Sequence, residues 1–88
     1  MLFRSAEVGV SFASSKPLET LGLTPREAEV LLWAAQGKSN SDISIILGAA
    51  EGTIKKHLEH IFEKIGVESR NAATVRAIEI LTKAVPKR

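Results

Sequence analysis

Three glycines divide most of this chain into short blocks, and their spacing constrains the fold more than any other feature. Gly37, Gly48 and Gly66 each follow a stretch whose apolar residues recur at helical spacing. Glycine commonly ends a helix because it adopts the left-handed backbone conformation at little cost. No stretch shows the strict alternation of a half-buried strand. The sequence therefore predicts an all-α fold of short helices that end at these glycines.

The starts of the helices are marked as well. Thr24-Pro25-Arg26-Glu27 forms a complete capping box, with proline at the first helical position. Ser39-Asn40-Ser41-Asp42 repeats the pattern with aspartate in place of glutamate, and Ser69-Arg70 offers a further start. These signals predict a compact four-helix bundle, with helices over residues 25–36, 40–47, 51–65 and 70–84.

The length of 88 residues allows one domain. Residues 1–18 are irregular in composition and are interpreted as a linker or the remnant of an upstream segment, so the domain is expected over 19–88. The chain has no cysteine, which removes thiol catalysis and thiolate metal sites and suits a cytoplasmic protein. No apolar run approaches the roughly 18 residues of a membrane span, so no association with a membrane is expected.

The second and third blocks have the arrangement of a helix-turn-helix. A short helix over 40–47 precedes a tight turn at Gly48 and a longer amphipathic helix over 51–65, and a helix of this kind fits the major groove of DNA. Three glutamates balance three lysines in the third block, so the pattern by itself also suits a solvated surface helix. The predicted core face of the third helix consists of Ile54, Leu58, Ile61, Phe62 and Ile65.

Four segments from Leu23 onward form a signature. They are Leu23-Thr24-x-Arg26-Glu27-x-Glu29-Val30-Leu31, Gly37-Lys38-Ser39-Asn40-x-x-Ile43, the segment Thr53 to Val67, and Ser69-Arg70-x-x-Ala73. In these segments the chain resembles the LuxR-type (GerE-type) helix-turn-helix domain. The resemblance implies a four-helix module whose third helix reads DNA. Such a module is usually joined to an N-terminal receiver or ligand-sensing domain. When it is joined to a receiver, it is the output domain of a response regulator.

The resemblance also implies where DNA would be contacted. Lys55, Lys56 and Glu59 correspond to positions against base edges, and Thr53 and Asn40 to phosphate contacts. Ser39 is equally suited to capping its helix. The full set of expected DNA contacts is Ser39, Asn40, Thr53, Lys55, Lys56, Glu59, His60, Lys64 and Arg70.

Three positions depart from the family pattern, and at one of them Ala49 replaces a larger aliphatic residue. Ala50 stands where a serine or threonine usually caps the recognition helix, and Glu59 would repel phosphate unless it accepts from a cytosine. Two other functions therefore stay open, namely a helical protein-interaction module without DNA binding and a promoter-binding module like the fourth region of a sigma factor.

Enzymatic activity is not expected, because the chain has no paired carboxylates on one face, no Gly-rich phosphate loop and no nucleophile–base spacing. No cofactor is expected either. His57 and His60 lack the further ligand that a metal site needs, and a packing role is favoured for His57. Trp33 is expected in the core or at its edge.

The last predicted helix has more apolar surface than one core contact requires. One arc consists of Ala73, Ala77, Ile80, Leu81 and Ala84, and it is extended by Val75, Ile78 and Val85. The resemblance implies that this helix pairs with its two-fold mate, so the expected partners are double-stranded DNA and a second copy on DNA, with RNA polymerase as a further candidate. The expected dimer interface consists of Val75, Ile78, Thr82 and Val85.

Overall fold

The computed structural model describes residues 14–84 and confirms the all-α bundle. A 3-10 helix over Lys16–Leu21 precedes four α-helices, which are α1 (Pro25–Ala35), α2 (Asn40–Leu47), α3 (Glu51–Ile65) and α4 (Arg70–Ala84). No strand occurs between residues 14 and 84. Three of the four predicted helices have the predicted bounds, and α1 is one residue shorter than expected.

Both predicted capping boxes are present. The Thr24 hydroxyl accepts from the Glu27 amide at 3.2 Å, and the Glu27 carboxylate accepts from the Thr24 amide at 2.9 Å. At the start of α2, Ser39 Oγ accepts from the Asp42 amide at 3.1 Å, while Asp42 Oδ2 accepts from the Ser39 amide at 3.4 Å. In each box, side-chain oxygens accept from backbone amides that have no acceptor within the helix. The box thereby fixes the residue at which the helix begins.

The ends of α2 and α3 lie at the predicted glycines. Gly48 and Gly66 have φ angles of 69° and 71°, in the left-handed region, and each donates its amide to a carbonyl of the preceding turn. This conformation reverses the chain immediately after the helix. The two glycines therefore determine how closely α3 follows α2 and α4 follows α3.

Helix α1 is the central element of the core. It packs against α3, α4 and the 3-10 helix, and α2 packs mainly against α3. The α1 side chains Ala28, Val30 and Leu31 are completely buried. The other helices contribute a further set of fully or nearly fully buried side chains, which are Ile43, Ile54, Leu58, Ile61, Ile65, Ala73, Ala77 and Leu81.

The predicted boundary between residues 18 and 19 falls inside the 3-10 helix. Leu18 is completely buried in the core, and this helix packs on both α1 and α4. The folded domain therefore includes residues that the sequence analysis had assigned to a linker. Pro17 and the serines before it obscure the helical pattern, but proline is well suited to the first turn of a helix. The remainder of the segment, residues 1–13, lies outside the described residues.

Two further features bear on function. None of the helices between residues 14 and 84 combines the length and apolar character needed to cross a membrane. Within the same residues, no group of three or more histidine, aspartate or glutamate side chains is arranged to hold a metal ion.

Candidate nucleic-acid interface

A three-residue turn joins α2 to α3 and holds them as one unit. The Ala49 amide donates to the Ser44 carbonyl at 2.9 Å, and the half-buried Ala49 side chain packs against the core. Helix α3 then begins at Glu51, as the sequence predicted. The two helices therefore form the short helix, tight turn and longer helix of a helix-turn-helix.

The rotation of α3 about its axis is fixed by its buried face. Ile54, Leu58, Ile61 and Ile65 are buried, and Phe62 is half-buried at the edge of the core. This confirms the core face that the sequence predicted. The opposite side of the helix is left in solvent, and its exposed residues are Glu51, Gly52, Thr53, Lys55, Lys56, Glu59, His60, Glu63 and Lys64.

The exposed face of α3 carries charges of both signs. Lys56 projects almost directly away from the core, and Glu59 and Glu63 follow it on the same side of the helix, three and seven residues later. Lys55 lies on one flank, and Thr53 and His60 lie on the other. The structure thus brings Thr53, Lys55, Lys56, Glu59 and His60 together on one accessible surface, which is called the α3 outer face below.

The N-terminus of α3 has no side-chain cap. Ala50 has the extended backbone of a capping residue, with φ −70° and ψ 150°, but its methyl group cannot accept a hydrogen bond. The Ala50 carbonyl accepts from the amides of Thr53 and Ile54. The two earlier amides, those of Glu51 and Gly52, belong to exposed residues at the positive end of the helix dipole, beside the carboxylate of Glu51.

Lys64, one of the expected DNA contacts, forms an ion pair within the domain itself. Its ammonium lies 2.8 Å from Oε1 of Glu27, whose side chain is only 6% exposed. Burial by itself raises the pKa of Glu27, but the hydrogen bonds from Lys64 and the Thr24 backbone, with the charge of Lys64, hold this pKa below its ordinary value. The pair joins α1 to the last turn of α3 and holds the helix on the core.

Arg70, another expected DNA contact, is hydrogen-bonded to groups of the domain itself. Its guanidinium donates to Asn40 Oδ1 at 2.6 Å and to the backbone carbonyl of Lys38. Asn40 and Arg70 are both half-buried, and they are the first residues of α2 and α4. The structure therefore places Asn40 and Arg70 together, with the start of α4 against the start of α2. The side chain of Ser39, beside them, is occupied in the capping box.

The remaining candidates lie close to their expected places. His57 is half-buried, in keeping with the packing role favoured for it, whereas His60 is exposed. Trp33 is half-buried and packs against the core from its edge. On α4, Val75 and Ile78 are 55% and 41% exposed, and Thr82 is exposed, so all three are accessible to a partner. Val85 lies outside the described residues.

One accessible apolar surface was missed by sequence reasoning. Ile45 is 76% exposed and Ile46 is 43% exposed on the outer side of α2. The run Ile43-Ser44-Ile45-Ile46-Leu47 contained the signal, because a helix of eight residues buries only one stripe and cannot bury four such side chains.

Comparisons with known proteins agree with this geometry. Residues 21–77 match the family profile GerE, described as bacterial regulatory proteins of the luxR family. The HTH-type quorum sensing-dependent transcriptional regulator RpaR of Rhodopseudomonas palustris is 45% identical over 74% of this chain and 27% of its own length. The transcriptional activator protein AhyR of Aeromonas hydrophila is 38% identical over 81% of this chain and 26% of its own.

A third relative is also similar over most of this chain. The transcriptional regulatory protein LnrK of Bacillus subtilis is 40% identical over 72% of this chain and 29% of its own length. The chain thus spans little more than a quarter of the length of these curated relatives. No solved structure matches the chain significantly.

Proposed function

The chain belongs to the luxR family of bacterial regulatory proteins, and from this premise we propose that it binds double-stranded DNA to regulate transcription, with α3 in the major groove. The observation that carries the proposal is the α3 outer face. A helix of 15 residues is held on the core by its apolar side and leaves a continuous polar side accessible beside the turn from α2. The family is one of regulators and not of enzymes.

Within this interface the residues have different proposed roles. Lys55 and Lys56 donate to guanine O6 and N7 or to phosphate, and Glu59 accepts from a cytosine amino group. Thr53 and the uncapped amides at the start of α3 meet a phosphate, and Asn40 meets another at the start of α2. His60, on the flank of α3, is a further proposed DNA contact. Phosphate contacts of this kind set the orientation of the domain, while the base contacts select the sequence.

We further propose that the domain binds DNA as a two-fold dimer through the exposed side of α4. Val75, Ile78 and Thr82 leave an accessible, partly apolar strip on that helix. The strip is small, whereas stable interfaces bury on the order of 1,200 Å² or more. DNA supplies the missing free energy by holding two copies at high effective concentration. On this proposal the domain acts in the cytoplasm, as part of a regulator that receives its signal through another domain. The same regulator contacts RNA polymerase.

The test of DNA binding compares lysines on different elements. Lys55→Ala and Lys56→Ala are titrated against a fluorescent duplex of random sequence and against duplexes selected by the wild-type domain. The matched control is Lys83→Ala, which removes the same charge from an exposed position at the end of α4. A lost base contact weakens the selected duplex by about 1–3 kcal/mol, whereas a lost phosphate contact weakens all duplexes alike.

Two results would contradict the proposal. The first is that both α3 variants bind every duplex as Lys83→Ala does, which would remove α3 from the interface. The second is that the wild-type domain shows no salt-dependent affinity for DNA, which is the behaviour of a protein-interaction module.

The dimer is tested on a duplex with two inverted half-sites. Val75→Glu and Ile78→Glu abolish cooperative occupation of the double site and leave affinity for one half-site unchanged, because both side chains project away from the core. Circular dichroism verifies that each variant is folded. Cooperative binding by both folded variants would show that the copies meet through another surface.

A further inference from the structure

One arginine joins three separate places in the chain next to the proposed interface. The Arg70 guanidinium donates to Asn40 Oδ1 at 2.6 Å through Nη1, and to the Lys38 carbonyl through Nη2. These partners lie 30 and 32 residues before it in sequence. The start of α4 is thereby tied to the first residue of α2 and to the loop that precedes it.

The chemistry of this contact fixes the orientation of the Asn40 amide. A guanidinium offers only donors, so the amide must turn its oxygen towards Arg70. The Asn40 amide nitrogen, with its two N–H donors, then faces away from the guanidinium. A DNA phosphate offers only acceptors. The orientation that Arg70 imposes is therefore the one in which Asn40 can donate to a phosphate.

The surroundings leave the amide accessible. Asn40 is half-buried at an open cleft of about 500 Å³ between α1, the start of α2 and the start of α4. The polar side chains that line this cleft are Lys38, Ser39, Asn40, Arg70, Asn71 and Thr74. Ser39 Oγ accepts in its capping box and has a single O–H donor, whereas Asn40 has two N–H donors, both on the side of its amide away from Arg70.

We propose that Arg70 is a positioning residue for DNA binding, which acts by holding the Asn40 amide with its donors towards a phosphate. The inference rests on the proposed function. It differs from a direct contact between Arg70 and phosphate, because two of the five N–H donors of the guanidinium are already directed at groups of the domain itself.

The experiment is a double-mutant cycle on DNA affinity. Asn40→Ala, Arg70→Ala and the double variant are titrated by fluorescence anisotropy against one random-sequence duplex over a range of salt concentrations. Asn40→Ala is expected to weaken binding about tenfold, the lower end for a hydrogen bond to a charged group. Arg70→Ala is expected to lose nearly the same factor, and the double variant no more than Asn40→Ala alone.

The salt dependence separates positioning from direct contact. Loss of a lysine or arginine that neutralises a phosphate lowers the slope of log affinity against log salt by about 0.9. Arg70→Ala is expected to leave this slope unchanged. Arg76→Ala is the matched control, since it removes another arginine of α4 that contacts only the Ile65 carbonyl among the described residues. It is expected to retain wild-type affinity.

Three results would overturn the inference. Additive losses in the cycle would show that the two residues act independently, and a slope reduced by about one would show a direct phosphate contact. Unchanged affinity of Arg70→Ala, with a lowered midpoint of urea unfolding, would assign Arg70 to stability alone. The proposed function survives each of these results, whereas a wild-type domain that does not bind the duplex would refute both.

Discussion

Replacing Lys64 by methionine removes the cation that faces a buried carboxylate, and this substitution tests the structure most directly. The two side chains differ in exposure, at 6% for Glu27 and 39% for Lys64. Lys64→Met leaves the buried charge of Glu27 with the Thr24 amide as its remaining donor. Glu27→Gln leaves an ammonium that water can reach, and glutamine still completes the capping box. The structure therefore predicts that Lys64→Met is the more destabilising of the two.

The magnitudes follow from this difference. Removal of one partner from a fully buried ion pair costs about 3–5 kcal/mol, and exposed pairs contribute about 0.2–1 kcal/mol. Because Lys64 is partly exposed, we expect Lys64→Met to lower the free energy of unfolding by about 1–2 kcal/mol. Glu27→Gln should cost less than about 1 kcal/mol. The double variant should resemble Glu27→Gln, since no buried charge is left to be paired.

The effect of Lys64 must also depend on pH. The pKa of Glu27 is lowered in the folded protein from an ordinary value of 4.5, so the carboxylate stabilises the fold above that pH. The stabilisation is lost as pH falls through the folded pKa. Urea unfolding followed by circular dichroism should therefore show a constant deficit for Lys64→Met between about pH 7 and 5 that shrinks towards about pH 3.

The matched control is Arg26→Met. It removes the cation of an exposed pair in which Arg26 and Glu29 are 48% and 46% exposed, and it should change stability by less than about 0.5 kcal/mol. Equal costs for Arg26→Met and Lys64→Met would refute the reasoning from burial. A deficit of Lys64→Met that is the same at low pH would show that it does not arise from the charge of Glu27.

Two further predictions concern the ends of α3, and both are measured as midpoints of urea unfolding. Ala50→Ser should stabilise the domain by about 0.5–1 kcal/mol, because the extended Ala50 backbone already suits a capping serine. A midpoint that does not rise would mean that the start of α3 gains nothing from a cap. Gly66→Ala should destabilise by about 1 kcal/mol through its φ of 71°, whereas Gly52→Ala in the helix should stabilise by a similar amount. Neither added methyl meets an atom within 4 Å, so changes of the same sign would contradict this assignment of backbone conformations.

The helix boundaries could be predicted because their signals are local. Thr24 and Ser39 lie three residues before their acidic partners, and Gly48 and Gly66 act on the turn directly before them. The 3-10 helix was missed because it follows three residues per turn, so its apolar residues show no period of an α-helix. Leu18 is buried in the core and Leu21 packs against it, and two leucines after Pro17 are too few to make a pattern.

The contacts between helices could not be predicted in the same way. Lys64 and Glu27 are 37 residues apart, and Arg70 and Asn40 are 30 apart. Long cationic side chains have many rotamers and can reach several partners, and the spacing of residues does not select among them. The sequence could therefore identify Lys64 and Arg70 as cations near the interface, but only the packing of α1 on α3 and of α4 beside α2 shows what they contact.

The Lys64–Glu27 pair changes the charge that the proposed interface offers to DNA, because the carboxylate of Glu27 compensates the charge of Lys64. With Lys64 paired to Glu27, the exposed residues of α3 set Lys55 and Lys56 against three glutamates, which are Glu51, Glu59 and Glu63. Such a face gains less from phosphates in general than a wholly basic face would, because its glutamates repel phosphate wherever the register is wrong. Binding then depends on a register that places each lysine against an acceptor and Glu59 against a donor. On the proposed interface, the acidic residues of α3 therefore weaken binding to random DNA more than binding to the correct site, and so increase sequence discrimination.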